Sequence, residues 1–131
     1  MSFTSKLLIL SAMIFCHIMD DYYLQGILSK MKQRDWWKKN APSSMYQKDY
    51  VMALFEHAFS WSFVMSLPLL LATVIFRIEY GGQWLIVGYV VNTICHAYVD
   101  NLKANRKKIN LIQDQSIHLC QIFMLWFCAL F

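Results

Sequence analysis

Glycine and proline are scarce in this chain of 131 residues, at 4 and 2 respectively. That scarcity excludes collagen-like, low-complexity and disordered classes and argues against a turn-rich all-β architecture. Charge is scarce as well: 15% of the residues are charged, against about 25% in an ordinary soluble protein. The four cysteines, Cys16, Cys95, Cys120 and Cys128, show no C-x2-C spacing, which removes zinc-ribbon and disulfide frameworks. Two of them directly precede a histidine, but neighbours on a helix point about 100° apart, so they read as packing residues. What fills the chain is apolar: 58% of the residues are hydrophobic, above the roughly 45–50% of soluble proteins. This composition argues against a soluble enzyme. The length supports one domain, and at about 20 residues per spanning helix it allows four spans at most.

Basic residues mark where the spans end. Apart from Lys6, they fall at 30–48, at Arg77 and at 103–108. The apolar stretches between them predict transmembrane helices over about 7–28, 50–76, 83–100 and 110–131, each long enough for a hydrocarbon layer of roughly 30 Å. The expected fold is therefore all-α, a polytopic four-transmembrane-helix bundle forming a single domain over 1–131. A soluble four-helix bundle would instead show recurring polar residues on one face of each helix; 63–76 and 122–131 offer none. A secretory signal at the N-terminus is disfavoured because no small-residue cleavage site follows the first stretch.

Ten of the twelve basic residues lie in the connections 29–49 and 101–109. The positive-inside rule places both connections in the cytoplasm and both termini on the other side. Within the first, the Asp35-Trp36-Trp37-Lys38-Lys39 run suits the headgroup level, and the stretch Asn40 to Ser44 ends any helix there. Gly81 and Gly82 predict the outer turn, and Pro68 a kink in the second span. The basic residues Lys103, Arg106, Lys107 and Lys108 predict contact with anionic lipid headgroups. No nucleic-acid partner is expected, and a homo-oligomer is allowed.

Ionisable residues inside a membrane cost at least ~2.5 kcal/mol each at the bilayer centre and mark function by default. The spans hold all four histidines, together with Asp20, Asp21, Gln25, Glu56, Ser60, Asn92, Asp100, Asp114, Gln115 and Gln121. His17, Asp21 and Gln25 recur every four residues, as do Asn92, His96 and Asp100, and Asp114 and His118 repeat the step in reverse. Residues four apart share a helix face, so three helices each carry one polar stripe. Counted from the nearest basic connection, His17, His57, His96 and His118 share one layer roughly 10–20 Å inside the cytoplasmic boundary.

Imidazoles and carboxylates converging in a low-dielectric bundle call for a cation, and a divalent transition metal suits an N/O donor set. The expected ligands are His17, Asp21, His57, His96, Asp100, Asp114 and His118, around one or two ions of Zn, Mn or Fe. Gln25, Asn92 and Gln115 are expected to support the ligands through hydrogen bonds. Hydrogen-bonded pairs that merely lock the helices, or a proton relay, are the alternatives.

The strings His17-Ile-Met-Asp-Asp21-Tyr-Tyr-Leu24-Gln25, His96-Ala-Tyr-Val-Asp100 and Asp114-Gln115-Ser-Ile-His118, with His57 between them, resemble the pattern of the domain-of-unknown-function 3307 family. The resemblance covers nearly the whole chain. It implies a four-helix inner-membrane protein of a bacterium or phage and supplies no activity; Asp20 stands where that pattern has a small residue. A more distant likeness is to intramembrane metal-dependent hydrolases, at the level of fold analogy.

Two functions are expected from this. The first is a membrane-embedded metal-dependent hydrolase acting on a lipid or lipid-linked substrate from the cytoplasmic side, with Asp20 or Glu56 as general base and the basic residues 103–108 holding an anionic headgroup. The second is a non-catalytic membrane module whose polar layer holds the bundle together or passes protons.

Overall fold

Ser2 opens the first helix by accepting the Ser5 backbone N–H on its hydroxyl, 3.1 Å away. The computed structural model describes residues 1–131 throughout, and in it α1 runs over Phe3–Met19. It continues as a π-turn over Asp20–Leu24, closed by the Gln25 N–H on the Asp20 carbonyl. A left-handed Gly26 (φ 50°) then ends the segment. The connection that follows is more ordered than the sequence suggests. It holds two short helices, α2 over Leu28–Met31 and α3 over Arg34–Asn40, and a 3-10 turn over Ser44–Tyr46. α3 ends at Asn40 as expected, and Trp37 pins α3 to α2 by donating its indole N–H to the Met31 carbonyl at 2.6 Å.

Three long helices complete the fold: α4 over Asp49–Phe76, α5 over Gly81–Ala104 and α6 over Leu111–Leu130. There is no β-strand. Pro68 does not interrupt α4. The turn between α4 and α5 lies one step earlier than expected, because Arg77 and Tyr80 take the left-handed conformation themselves (φ 48° and 61°). Gly81 and Gly82 instead form the first turn of α5. Gly81 is needed there for space, since a Cβ would come within 2.9 Å of Thr73. α6 starts with a capping box, in which the Asn110 side chain accepts from the Gln113 N–H and Gln113 answers on the Asn110 N–H.

α4 packs against α1 and α5, and α6 closes the ring against α5 and α1. Both basic connections lie at the same end of this ring and touch: Asn105 donates to the Lys32 carbonyl (3.0 Å) and accepts the Arg34 N–H (2.7 Å). At the other end the Trp126 indole donates to the Lys6 carbonyl (2.7 Å), tying α6 to α1. The common side expected for the two basic connections is thus a property of the fold.

The interior divides into two zones. Met13, Met65, Leu69, Ile122, Leu125 and Trp126 fill the end away from the basic connections. The other end is polar: 12 of the 28 buried residues are polar or charged, and all four histidines are among them. The exterior is the reverse, with Val74, Ile75, Ile86, Val90, Ile94 and Met124 each at least half exposed. An apolar exterior around a core that is nearly half polar is unlike a water-soluble bundle.

Two segments, Phe3–Leu24 and Ser44–Phe76, are long and apolar enough to cross a membrane. α5 and α6 do not meet the same measure of composition, although their 24 and 20 residues suffice in length. The inward-facing polar residues dilute them: Asn92, His96 and Asp100 on α5, and Asp114 and His118 on α6.

Candidate metal centre

Each long helix delivers part of one cluster. His57 comes from α4, His96 and Asp100 from one face of α5, Asp114 and His118 from one face of α6, and Asp20 and Asp21 from the π-turn after α1. Both aspartates of the π-turn are buried, at 0% and 8% exposure. Asp21 faces the cluster and Asp20 backs onto α4.

Four ligand atoms converge. His57 Nε2 lies 3.3 Å from Asp21 Oδ1 and 3.4 Å from Asp100 Oδ2. His96 Nε2 lies 3.2 Å from His57 Nε2 and 3.8 Å from each of the same two oxygens. Four ligands held about 2.0–2.1 Å from a tetrahedral ion are separated by about 3.3 Å. The three separations from His57 Nε2, 3.2–3.4 Å, are close to that edge, and the two from His96 Nε2 to the carboxylates are longer, at 3.8 Å.

Asp100 extends the cluster sideways. Its Oδ1 lies 3.7 Å from His118 Nε2, which in turn lies 3.5 Å from Asp114 Oδ1. Neither His118 Nε2 nor Asp114 Oδ1 has a hydrogen-bond partner, although both are buried. Two groups with metal-ligand geometry result, one of Asp21, His57 and His96 and one of His96, Asp100 and His118.

The surrounding hydrogen bonds aim the rings. His118 Nδ1 donates to Gln121 Oε1 (3.0 Å), and Gln121 is fixed in turn on Asn92 Oδ1 (3.2 Å). That leaves the Nε2 lone pair of His118 directed at Asp100 and Asp114. Behind His57, Asp20 Oδ2 lies 3.8 Å from Nδ1, and Asp20 is itself held by the Ser60 hydroxyl at 2.9 Å. Trp61 floors the cluster: fully buried, it stacks on His96 at 4.1 Å between centroids.

Several expected roles change. His17 is occupied on both sides, accepting the Trp61 N–H on Nδ1 (2.7 Å) and pairing through Nε2 with Gln115 Oε1 (3.1 Å). It is a wall of the cluster and offers no free nitrogen. Glu56 is exposed and makes no hydrogen bond or ion pair with the cluster, because it sits about 100° round the helix from His57. Asp20 lies on the far side of His57 from the converging atoms, too far from Nδ1 at 3.8 Å to hydrogen-bond it, and it does not reach a substrate. Gln25 bonds back to the Asp21 carbonyl. Gln115 keeps its expected place, donating to Asp21 (3.2 Å) and Asp114 (3.0 Å). All four cysteines are free thiols, and Cys95 and Cys120 face outwards, away from the core packing expected of them.

Of the four basic residues expected to hold a headgroup, only Lys103 reaches the cluster, with Nζ 2.6 Å from Asp114 Oδ2. Arg106, Lys107 and Lys108 are exposed beyond the end of α5. A second cation was not foreseen: Lys32, in the connection after α2, places Nζ 2.6 Å from Asp100 Oδ2. The sequence marks it only as one of several topogenic lysines. Trp61 was also missed, though its position four residues after His57 put it on the same helix face.

No protein-family model matches the chain, and no curated protein or solved structure is similar to it.

Proposed function

We propose that this chain is a membrane-embedded metal-binding protein, with all four long helices crossing the bilayer and a divalent transition ion (Zn, Mn or Fe) held by Asp21, His57, His96 and Asp100. The observation that carries this is the placement of His57 Nε2 and His96 Nε2 3.2 Å apart, each 3.3–3.8 Å from one oxygen of Asp21 and one of Asp100, the four residues coming from three different segments. Charge supports it too. Four buried carboxylates, Asp20, Asp21, Asp100 and Asp114, face two ammoniums, Lys32 and Lys103. With the imidazoles deprotonated as metal ligands require, two negative charges would be left, which one divalent ion balances.

An ion held by these four ligands would have to accept a fifth to polarise a substrate oxygen and acidify a water. On that chemistry we place the activity as hydrolysis of a lipid or lipid-linked ester, in a bacterial or phage protein of the inner membrane akin to the domain-of-unknown-function 3307 family. Asp114, whose Oδ1 is unpaired, replaces Asp20 and Glu56 as the carboxylate available to take a proton.

The direct Lys32–Asp100 and Lys103–Asp114 pairs favour a second function, a polar network that holds the helices together without an ion. Metal content separates the two. Protein purified in detergent without added metal is expected to carry about one equivalent of transition metal, and His96→Ala close to none while still inserting into the membrane. Absence of metal from both, even after incubation with Zn, Mn and Fe, would leave the network function.

A further inference from the structure

Beside the cluster lies a cavity of about 280 Å³. Asp21, Asp100 and Gln115 of the cluster line it, and Ser29, Lys32 and Lys103 line it from the basic connections and the last turn of α5. The two lysines are its distinctive feature. Lys32 is held with its side chain only 14% exposed, and both ammoniums are fixed by single contacts of 2.6 Å, on Asp100 and Asp114. An ammonium has three N–H donors. Each lysine spends one on its carboxylate and keeps two for the cavity.

An acidic lining would repel an anion from an ion-free cluster. With a divalent ion bound, the four carboxylates, the two ammoniums and the ion sum to zero, the repulsion is removed, and the cavity offers an anion the free N–H donors of Lys32 and Lys103 beside the ion. The three terminal oxygens of a phosphate monoester can each face a different cation. We propose that this cavity binds the phosphate group of a phosphate monoester, its oxygens shared between Lys32, Lys103 and the bound ion. The inference rests on the metal-binding function proposed above, and it names the substrate class for it. It also moves anion recognition from the exposed 106–108 run to Lys32 and Lys103, which lie within reach of the ligand atoms.

The chemistry is common to a lipid headgroup and to a free phosphoester, so calorimetry in detergent should use two probes, inorganic phosphate and short-chain phosphatidate. Short-chain phosphatidylcholine serves as a control with no net charge. Wild-type protein loaded with metal is expected to bind phosphate or phosphatidate, and the chelated protein to bind neither. Tighter binding of phosphatidate assigns a lipid, and equal binding a free phosphoester. Lys32→Gln/Lys103→Gln is expected to keep its metal at saturation and to lose affinity at least about tenfold. Arg106→Gln/Lys107→Gln/Lys108→Gln is expected to bind as wild type does. Metal-loaded protein that binds neither probe, or that binds them equally without the ion or without the two lysines, overturns the phosphate site while leaving the metal site standing. A chain that takes up no ion overturns the metal site first, and this inference with it.

Discussion

Asp20 and Glu56 are both acids beside the ligand His57, yet their surroundings differ sharply. Asp20 is fully buried, with Oδ2 3.8 Å from His57 Nδ1, whereas Glu56 is exposed. A carboxylate behind a ligating imidazole fixes the ring and raises its basicity, and its loss typically lowers metal affinity 10–100-fold. An approach of about 1 Å on metal binding would let Asp20 accept the His57 Nδ1 hydrogen; Asp20→Asn is then expected to weaken metal binding by about that factor, and Glu56→Gln to leave it unchanged, measured by competition with a chromogenic chelator. Equal effects of the two substitutions would remove the orienting role. Sequence spacing points to seven residues that the fold buries in one polar cluster, but it does not assign their tasks. Four-residue periodicity fixes the face of a helix and says nothing about what occupies a given nitrogen: both nitrogens of His17 are taken, by Trp61 and Gln115.

At the scale of elements, the close approach of α5 and α6 depends on Gly88. A Cβ there would collide with the Leu125 side chain, which is buried in the apolar zone. Small residues let membrane helices approach closely, and added methyls in a packed core usually cost 1–3 kcal/mol. Gly88→Ala should thus lower stability by about 1–3 kcal/mol in denaturant titration, with the same metal stoichiometry below the transition. Loss of metal without loss of stability would show that Gly88 acts through the cluster and not through packing. The long helices were legible in the sequence because gaps between charges bound them. The π-turn was not, since Asp20 and Asp21 fit an ordinary helix equally well on paper. The helices of the first basic connection were hidden as well, because α2 and α3 are only 4 and 7 residues long, too short for a periodic signal.

For the whole molecule, an apolar exterior around a core that is polar at one end fits a bilayer as solvent. The meeting of the two basic connections through Asn105, Lys32 and Arg34 fixes them at one end of the bundle. For the proposed four-span placement, the positive-inside rule predicts that this end faces the cytoplasm. A reporter after Phe131 should register as periplasmic and one near Ser43 as cytoplasmic; the reverse would turn the cavity to the other face of the membrane. The central claim, that Asp21, His57, His96 and Asp100 surround one ion, is tested most directly by X-ray absorption on the zinc-loaded protein. The expected spectrum has four N/O ligands at about 2.0–2.1 Å, with multiple scattering from two imidazoles that falls to one in His96→Ala. A six-coordinate spectrum without imidazole, or one unchanged in His96→Ala, would contradict it.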